Sequence, residues 1–170
     1  MKLYIKQKVF SIRDKFTVED EDGNDKYFVK GEFISLRGKL HILDSEKQEI
    51  GEIYSKLISL TPHYILELDG VKKAEIVKEI TLFKPNFKIK GTDIRIKGNI
   101  FDHDYDLFDG KEKIMGIRKK WISVGDSYVL DILDDDYELL ALGIALAIDM
   151  AIAEEEEKEE EQRKEEEKDD

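Results

Sequence analysis

A stretch of the chain with no polar side constrains the fold more than any other feature. From Leu139 to Ala153 the chain carries one charged residue, Asp149, among Leu, Ile, Ala, Gly and Met. A helix that is apolar on every face must be buried, either in a membrane or in a protein core. Three aspartates at 134–136 precede it, where one can cap the first turn and their charge suits the positive helix end. We therefore predict a buried helix over residues 136–153.

The length and the flanks of this helix favour a protein core over a membrane. The segment 136–153 is at or below the length that spans a bilayer. Asp149 lies inside it, and the residues that follow are acidic, whereas a membrane anchor usually has a basic flank. Its many alanines and its glycine allow close packing on all sides. We therefore predict that a β-barrel of the same chain surrounds the helix, and that the chain is not transmembrane.

The end of the chain is strongly acidic. Residues 154–170 contain 12 acidic and 4 basic residues, a net charge of −8 out of −12 for the whole chain. We predict a tail, 154–170, that is either a helical extension or a disordered solubilising segment. Nucleic acid is not expected as a partner, since phosphate binding needs a clustered positive field.

Cysteine usage and the first residues bear on location. The chain has no cysteine, which excludes disulfides and cysteine–zinc sites and suits a reducing compartment. The opening "MKLYIKQKVF" alternates apolar and polar residues, so we do not expect a signal peptide. The predicted location is cytoplasmic.

Residues 1–133 have the alternation of apolar and polar residues that is typical of β-strands. About a dozen short pieces are separated by turn signals, among them Asp-Gly pairs at 22–23, 69–70 and 109–110. This pattern predicts a barrel or a sandwich. The composition of "KKAEIVKEI" (72–80) would also permit a helix, but we favour a strand, because its apolar residues form no broad helical stripe.

An internal repeat supports the barrel. The segment "KLISLTPHYILEL" (56–68) aligns without a gap with "KWISVGDSYVLDI" (120–132), so that Tyr64 matches Tyr128. Weaker similarity extends the two copies to roughly 27–68 and 94–132. We expect them to form two similar halves of one sheet.

Three segments of the chain carry a resemblance to a known family. They are "YIKQKVFSIRDKFTVEDEDGNDKYFVKGE" (4–32), "LDSEKQEIGEIYSKLISLTPHYIL" (43–66) and "LLALGIALAIDMAIA" (139–153). Through them, residues 1–153 resemble the LURP-one-related family of the tubby C-terminal-like superfamily, which is similar to phospholipid scramblases. The resemblance implies a mainly β domain, a closed antiparallel barrel of about twelve strands around a buried C-terminal helix. Tubby domains bind phosphoinositides, but no binding residue transfers position by position.

Catalytic motifs are missing from the sequence. We find no nucleophile elbow, P-loop or dinucleotide fingerprint and assemble no acid–base pair, so we predict a non-enzymatic protein without a cofactor. The three histidines show no metal-ligand spacing. Asp102, Asp104 and Asp106 alternate along one strand face, where a hard cation could use them. We favour a solvated turn there and predict no metal site.

Basic residues offer the more productive binding hypothesis. Six of them alternate with apolar residues, and they point outward if the apolar set faces the barrel interior. They are Lys88, Lys90, Arg95, Lys97, Arg118 and Lys120. Strands 86–91 and 93–98 are expected to pair as a hairpin through Gly91-Thr92, which would cluster the first four.

Two functions follow from these patterns. A cation cluster can bind an anionic phospholipid headgroup or membrane surface, although an ordinary charged outer face is the simpler interpretation. The alternative function is a structural or regulatory protein that recruits a protein partner. In that case the tail 154–170 is a solubilising or docking element.

Overall fold

The computed structural model describes residues 1–6, 16–32, 38–82, 85–121 and 126–167, with the backbone alone at residues 6, 120, 121, 126 and 127. Within these ranges, strands occupy most of the chain before residue 133, as the alternation of the sequence predicts. The strands are β1 (Lys2–Lys6), β2 (Phe16–Glu19), β3 (Asp25–Glu32), β4 (Lys39–Leu43), β5 (Glu49–Ser55), β6 (His63–Leu68), β7 (Val71–Glu79), β8 (Asn86–Lys90), β9 (Ile94–Asn99), β10 (Asp104–Asp109), β11 (Glu112–Trp121) and β12 (Asp126–Ile132). A 3₁₀ turn, Asp135–Tyr137, leads into the helix α1, Glu138–Glu166.

The strands form one antiparallel sheet that curls into a nearly closed barrel. Their order in the sheet is β8-β7-β6-β5-β4-β3-β2-β1-β12-β11-β10-β9. The fold predicted from the sequence, mainly β with a C-terminal helix, is confirmed. The strand predicted at 72–80 is likewise confirmed, as β7.

The two edges of the sheet meet where the sequence predicted a hairpin. The short connection 91–93 joins β8 to β9, and the two strands approach each other there. Over residues 86–99 no hydrogen-bonded ladder connects them; β8 pairs with β7, and β9 pairs with β10. The predicted hairpin is therefore wrong, and the turn at Gly91 joins the two edges of the barrel instead.

The internal repeat corresponds to two four-stranded meanders, β3–β6 and β9–β12. Matching tyrosines of the two copies, Tyr64 on β6 and Tyr128 on β12, both reach the helix. The Tyr64 hydroxyl donates to Glu154, and the Tyr128 hydroxyl donates to Asp149. Each half of the sheet thus holds the helix through an equivalent phenol.

The helix α1 passes through the barrel, and its residues from Ala141 to Ala153 are buried. They pack against the inward-facing side chains of the strands, in one continuous apolar core. Small residues permit this close approach: a Cβ atom on Gly143 would lie 2.6 Å from both δ carbons of Leu66. No helix of the described residues is long and apolar enough to cross a membrane.

Among the described residues, one carboxylate is buried inside the barrel, on α1. Asp149 accepts a hydrogen bond from the Tyr128 hydroxyl, and its Oδ1 lies 2.9 Å from Nε2 of His103. The His103 ring stacks on Tyr128, with 4.7 Å between the centroids. Burial, together with the nearby carboxylate, raises the pKa of Tyr128 well above its usual range, so the phenol keeps the proton that it donates. These partners satisfy the oxygens of a polar side chain that would otherwise be costly in an apolar core.

Candidate functional site

The two ends of the barrel differ in the length of their connections. Short turns, such as 69–70 and 110–111, lie at the end where α1 begins. The longer connection 56–62, the connection 100–103 and the described residues 80–82 and 85 lie at the opposite end, where α1 leaves the barrel. We call this opposite end the helix-exit end. Long connections carry binding residues more often than tight turns do.

The edge strand β8 presents two lysines to solvent. Its side chains alternate, so that Phe87 and Ile89 are buried while Lys88 and Lys90 are exposed. Among the described residues, neither lysine side chain has an ion-pair or hydrogen-bond partner. Both ammonium groups are therefore available to an external anion.

The opposite edge strand, β9, adds two further exposed cations. The Arg95 guanidinium donates to the backbone carbonyl of Gly110. The Lys97 ammonium lies 4.8 Å from the centroid of the Phe108 ring, a cation–π contact that leaves its charge in place. We use the term basic edge for Lys88, Lys90, Arg95 and Lys97, which flank the opening between the two edges of the sheet.

Arg118 is engaged elsewhere, on β11. Its guanidinium binds two carboxylates of β10, with Nε 3.2 Å from Asp104 and Nη2 2.8 Å from Asp106. Lys113 also binds Asp106, at 2.9 Å. Burial alone would raise the pKa of Asp106, but hydrogen bonds from Lys113 and Arg118 lower it. The side chain of Lys120 lies outside the described residues, so four of the six predicted cations form the basic edge.

The structure brings together one histidine and two glutamates that are dispersed in sequence. Ligand atoms of His41, Glu49 and Glu52 lie within 4.8 Å of one another. Protein contacts account for this group: His41 Nδ1 lies 2.8 Å from Glu49, and Lys39 binds Glu52 at 2.7 Å. The sequence carries no signal of the cluster, because its members come from two adjacent strands.

A second histidine, His63, contacts a carboxylate on β7. Glu75 receives a hydrogen bond from the Lys72 ammonium and lies against Nε2 of His63, each at 2.7 Å. These two contacts hold the pKa of Glu75 at about 2, against an ordinary value of 4.5. The carboxylate therefore stabilises the fold while it is ionised.

A groove of about 490 Å³ opens at the helix-exit end, beside the emerging helix. We call it the helix-exit groove. Its apolar rim consists of Leu60, Ile80, Leu82 and Phe101, and one wall consists of Glu155 and Glu159 of α1. Our sequence predictions did not include it, although leucines and isoleucines near the two prolines of the chain were an available signal.

Fold and charge pattern together define a class of protein: a β-barrel wrapped around its own C-terminal helix, with charged groups on its outside. A family model described as LURP-one-related matches residues 1–149. The chain belongs to that family, as its resemblance to it indicated.

A bacterial relative supports the assignment, and a protein of known structure shares the fold. The uncharacterized protein YxjI of Bacillus subtilis (strain 168) is 36% identical over 152 residues, which cover 89% of this chain and 94% of that protein. The X-ray structure of a protein from Arabidopsis thaliana aligns with a TM-score of 0.61 and 16% identity, over 88% of this chain and 90% of that one. At this identity the second likeness is one of fold alone.

Proposed function

We propose that this protein is a non-enzymatic binding module whose basic edge binds the phosphate headgroup of an anionic lipid at a membrane surface. One observation carries the proposal: four exposed cations flank the opening between the two sheet edges, and the Lys88 and Lys90 side chains have no partner among the described residues. Arg95 supplies planar donors that suit a phosphate. A cytoplasmic location is part of the proposal, because a chain without cysteine suits a reducing compartment.

The expected strength of this binding is modest. Each lysine or arginine near an anionic surface contributes about 1 kcal/mol, so four of them contribute roughly 4 kcal/mol at low salt. The attraction decays within a Debye length, about 10 Å at 0.1 M salt. The net charge of −12 opposes any approach that brings the acidic tail to the membrane. Binding should therefore orient the wall of the barrel toward the lipid.

Flotation with vesicles tests the proposal. Wild-type protein should float with phosphatidylserine-containing vesicles at low salt and should stay behind with pure phosphatidylcholine. The double variant Lys88→Gln/Lys90→Gln should lose roughly 2 kcal/mol of binding, about 30-fold in affinity.

The matched control is Lys2→Gln/Lys47→Gln, which removes two exposed lysines far from the basic edge. The control should bind like the wild type. Equal losses in the two double variants, or no binding to anionic vesicles at low salt, would remove lipid binding at the basic edge from consideration.

A second candidate function is the recruitment of a protein partner, and the helix favours it. Beyond Ala153, α1 continues to Glu166, and its residues from Glu156 onward are exposed. We call residues 154–166 the acidic arm. A helical arm of this length presents ordered carboxylates at a fixed distance from the barrel.

Charge removal tests this function without breaking the helix. Glutamine is as good a helix former as glutamate, so Glu160→Gln, Glu161→Gln and Glu165→Gln together should leave the arm helical. The triple variant should lose the partners that wild-type protein retains in a pull-down from lysate. An unchanged set of partners would argue against a docking role for the arm.

A further inference from the structure

The exposed apolar side chains of this protein gather at one end. Among the described residues, nine large hydrophobic side chains are exposed, and six of them belong to connections at the helix-exit end. Leu60, Ile80 and Leu82 are 101%, 85% and 91% exposed, so the rest of the fold covers very little of these side chains. Contiguous exposed apolar surface on a soluble protein marks a place where another molecule binds.

The polar lining of the helix-exit groove has a definite charge. Among the residues that the structure describes, this lining contains one cation, Lys78, and three carboxylates, Glu79, Glu155 and Glu159. Lys78 forms an ion pair with Glu155, so the cation of the groove is already neutralised. The acidic arm continues outward from this wall, with further exposed glutamates. The groove is therefore apolar on its rim and negative on its helix side.

This combination specifies the chemistry of the occupant. A second copy of the chain would bring its own acidic arm beside the first, and like charges at that distance repel. An anionic membrane is repelled for the same reason. A segment with apolar side chains on one side and lysines or arginines on the other matches both the rim and the wall.

We propose that the helix-exit groove binds a basic amphipathic helix of a partner protein, with its apolar side on Leu60, Ile80, Leu82 and Phe101. The inference deepens the partner-recruitment function and rests on it, since the acidic arm supplies the complementary charge. The groove has a volume of about 490 Å³, which is within the range of about 300–1,000 Å³ of small-molecule pockets. Apolar anchors spaced i, i+3, i+4 and i+7 on the partner helix would enter it.

A synthetic peptide of leucine and lysine, with leucines at i, i+3, i+4 and i+7, is the probe, and fluorescence anisotropy measures its affinity for the full chain. Leu60→Ser/Leu82→Ser should weaken binding at least tenfold. The matched control, Val71→Ser/Leu133→Ser, changes two half-exposed apolar side chains outside the groove and should bind like the wild type. Because all four side chains are exposed, both variants should keep the thermal stability of the wild type.

A scrambled peptide of identical composition separates amphipathic recognition from simple charge attraction. It should bind at least tenfold more weakly than the amphipathic peptide. Equal affinity for the two peptides, or an unchanged affinity of Leu60→Ser/Leu82→Ser, would overturn the inference. Groove-dependent self-association in ultracentrifugation, or groove-dependent flotation with phosphatidylcholine vesicles, would also overturn it, in favour of a second copy or a lipid.

The arm variant distinguishes failure of the inference from failure of the proposed function. Suppose that the three Glu→Gln changes abolish partner capture while Leu60→Ser/Leu82→Ser leaves capture and peptide binding intact. Recruitment by the arm then stands, and the groove inference is wrong. If neither variant changes capture or peptide binding, both are wrong.

Discussion

Gly143→Ala should destabilise this protein, although alanine is the better helix former. Gly143 lies in the buried part of α1, opposite Leu66 of β6. An added Cβ atom would lie 2.6 Å from both δ carbons and 3.2 Å from the γ carbon of Leu66. Leu66 is fully buried, so its branched end cannot swing into solvent and the surrounding core must shift.

The magnitude follows from two opposing contributions. In an exposed helix, replacing glycine by alanine stabilises by about 1 kcal/mol. Overpacking a close-packed core by a methyl group destabilises by about 1–3 kcal/mol. We therefore expect Gly143→Ala to lower the free energy of unfolding by about 1 kcal/mol.

A double-mutant cycle isolates the contact. Leu66→Ala alone should destabilise by about 2–5 kcal/mol, because it leaves a cavity in the core. In that background the added methyl group has room, so Gly143→Ala should stabilise by about 1 kcal/mol. The expected coupling energy between the two positions is therefore about 2 kcal/mol. Urea unfolding followed by circular dichroism measures all four free energies.

Glu161, on the exposed acidic arm, provides the control for helix propensity. The free energies of unfolding of Glu161→Ala and Glu161→Gly should differ by helix propensity alone, about 1 kcal/mol. Stabilisation by Gly143→Ala of that same size in both backgrounds, with no coupling, would mean that β6 does not enclose the helix. The barrel-around-helix arrangement would then be refuted.

Three further predictions address other contacts. Asp149→Ala should destabilise by about 1–3 kcal/mol in thermal unfolding, since the buried Tyr128 hydroxyl loses its acceptor, and adding Tyr128→Phe should recover part of that loss. Gly98→Ala should abolish soluble folded protein, because Gly98 has a φ of 128° and the new Cβ would clash with the backbone oxygen of Asp104. Its control, Gly23→Ala, has a φ of 81° and no atom within 4 Å of the new Cβ, so it should lower the free energy of unfolding by only about 1 kcal/mol. The pKa of Glu75 is about 2 when folded and near its ordinary 4.5 when unfolded, so its stabilisation is full above about pH 4.5 and is lost as the pH falls toward 2. Glu75→Gln should therefore make the melting temperature depend less on pH between about pH 4.5 and 2.

The outward direction of the basic residues was predictable, whereas their partners were not. Alternation along β8 indicates that Lys88 and Lys90 are exposed, because successive side chains of a strand point to opposite faces. Nothing in the local pattern shows that Arg118 binds Asp104 and Asp106, since that contact depends on the register of β11 against β10. The groove is a similar case: Leu60, Ile80 and Phe101 are dispersed in the chain and meet only when three connections reach the same end.

By itself, the sequence determined that a helix must be buried and that strands must bury it. Three features can be read without a structure: an apolar segment, with Asp149 as its one charge, that is at or below the length of a bilayer span; a period of two up to Leu133; and a repeat that aligns 56–68 with 120–132. The tertiary structure alone decided where the barrel closes, which cations stay unpaired and what lies beside the emerging helix. Those features depend on strand register and on which strands become edges. Contacts between residues far apart in the chain set both, and no short stretch of sequence records them.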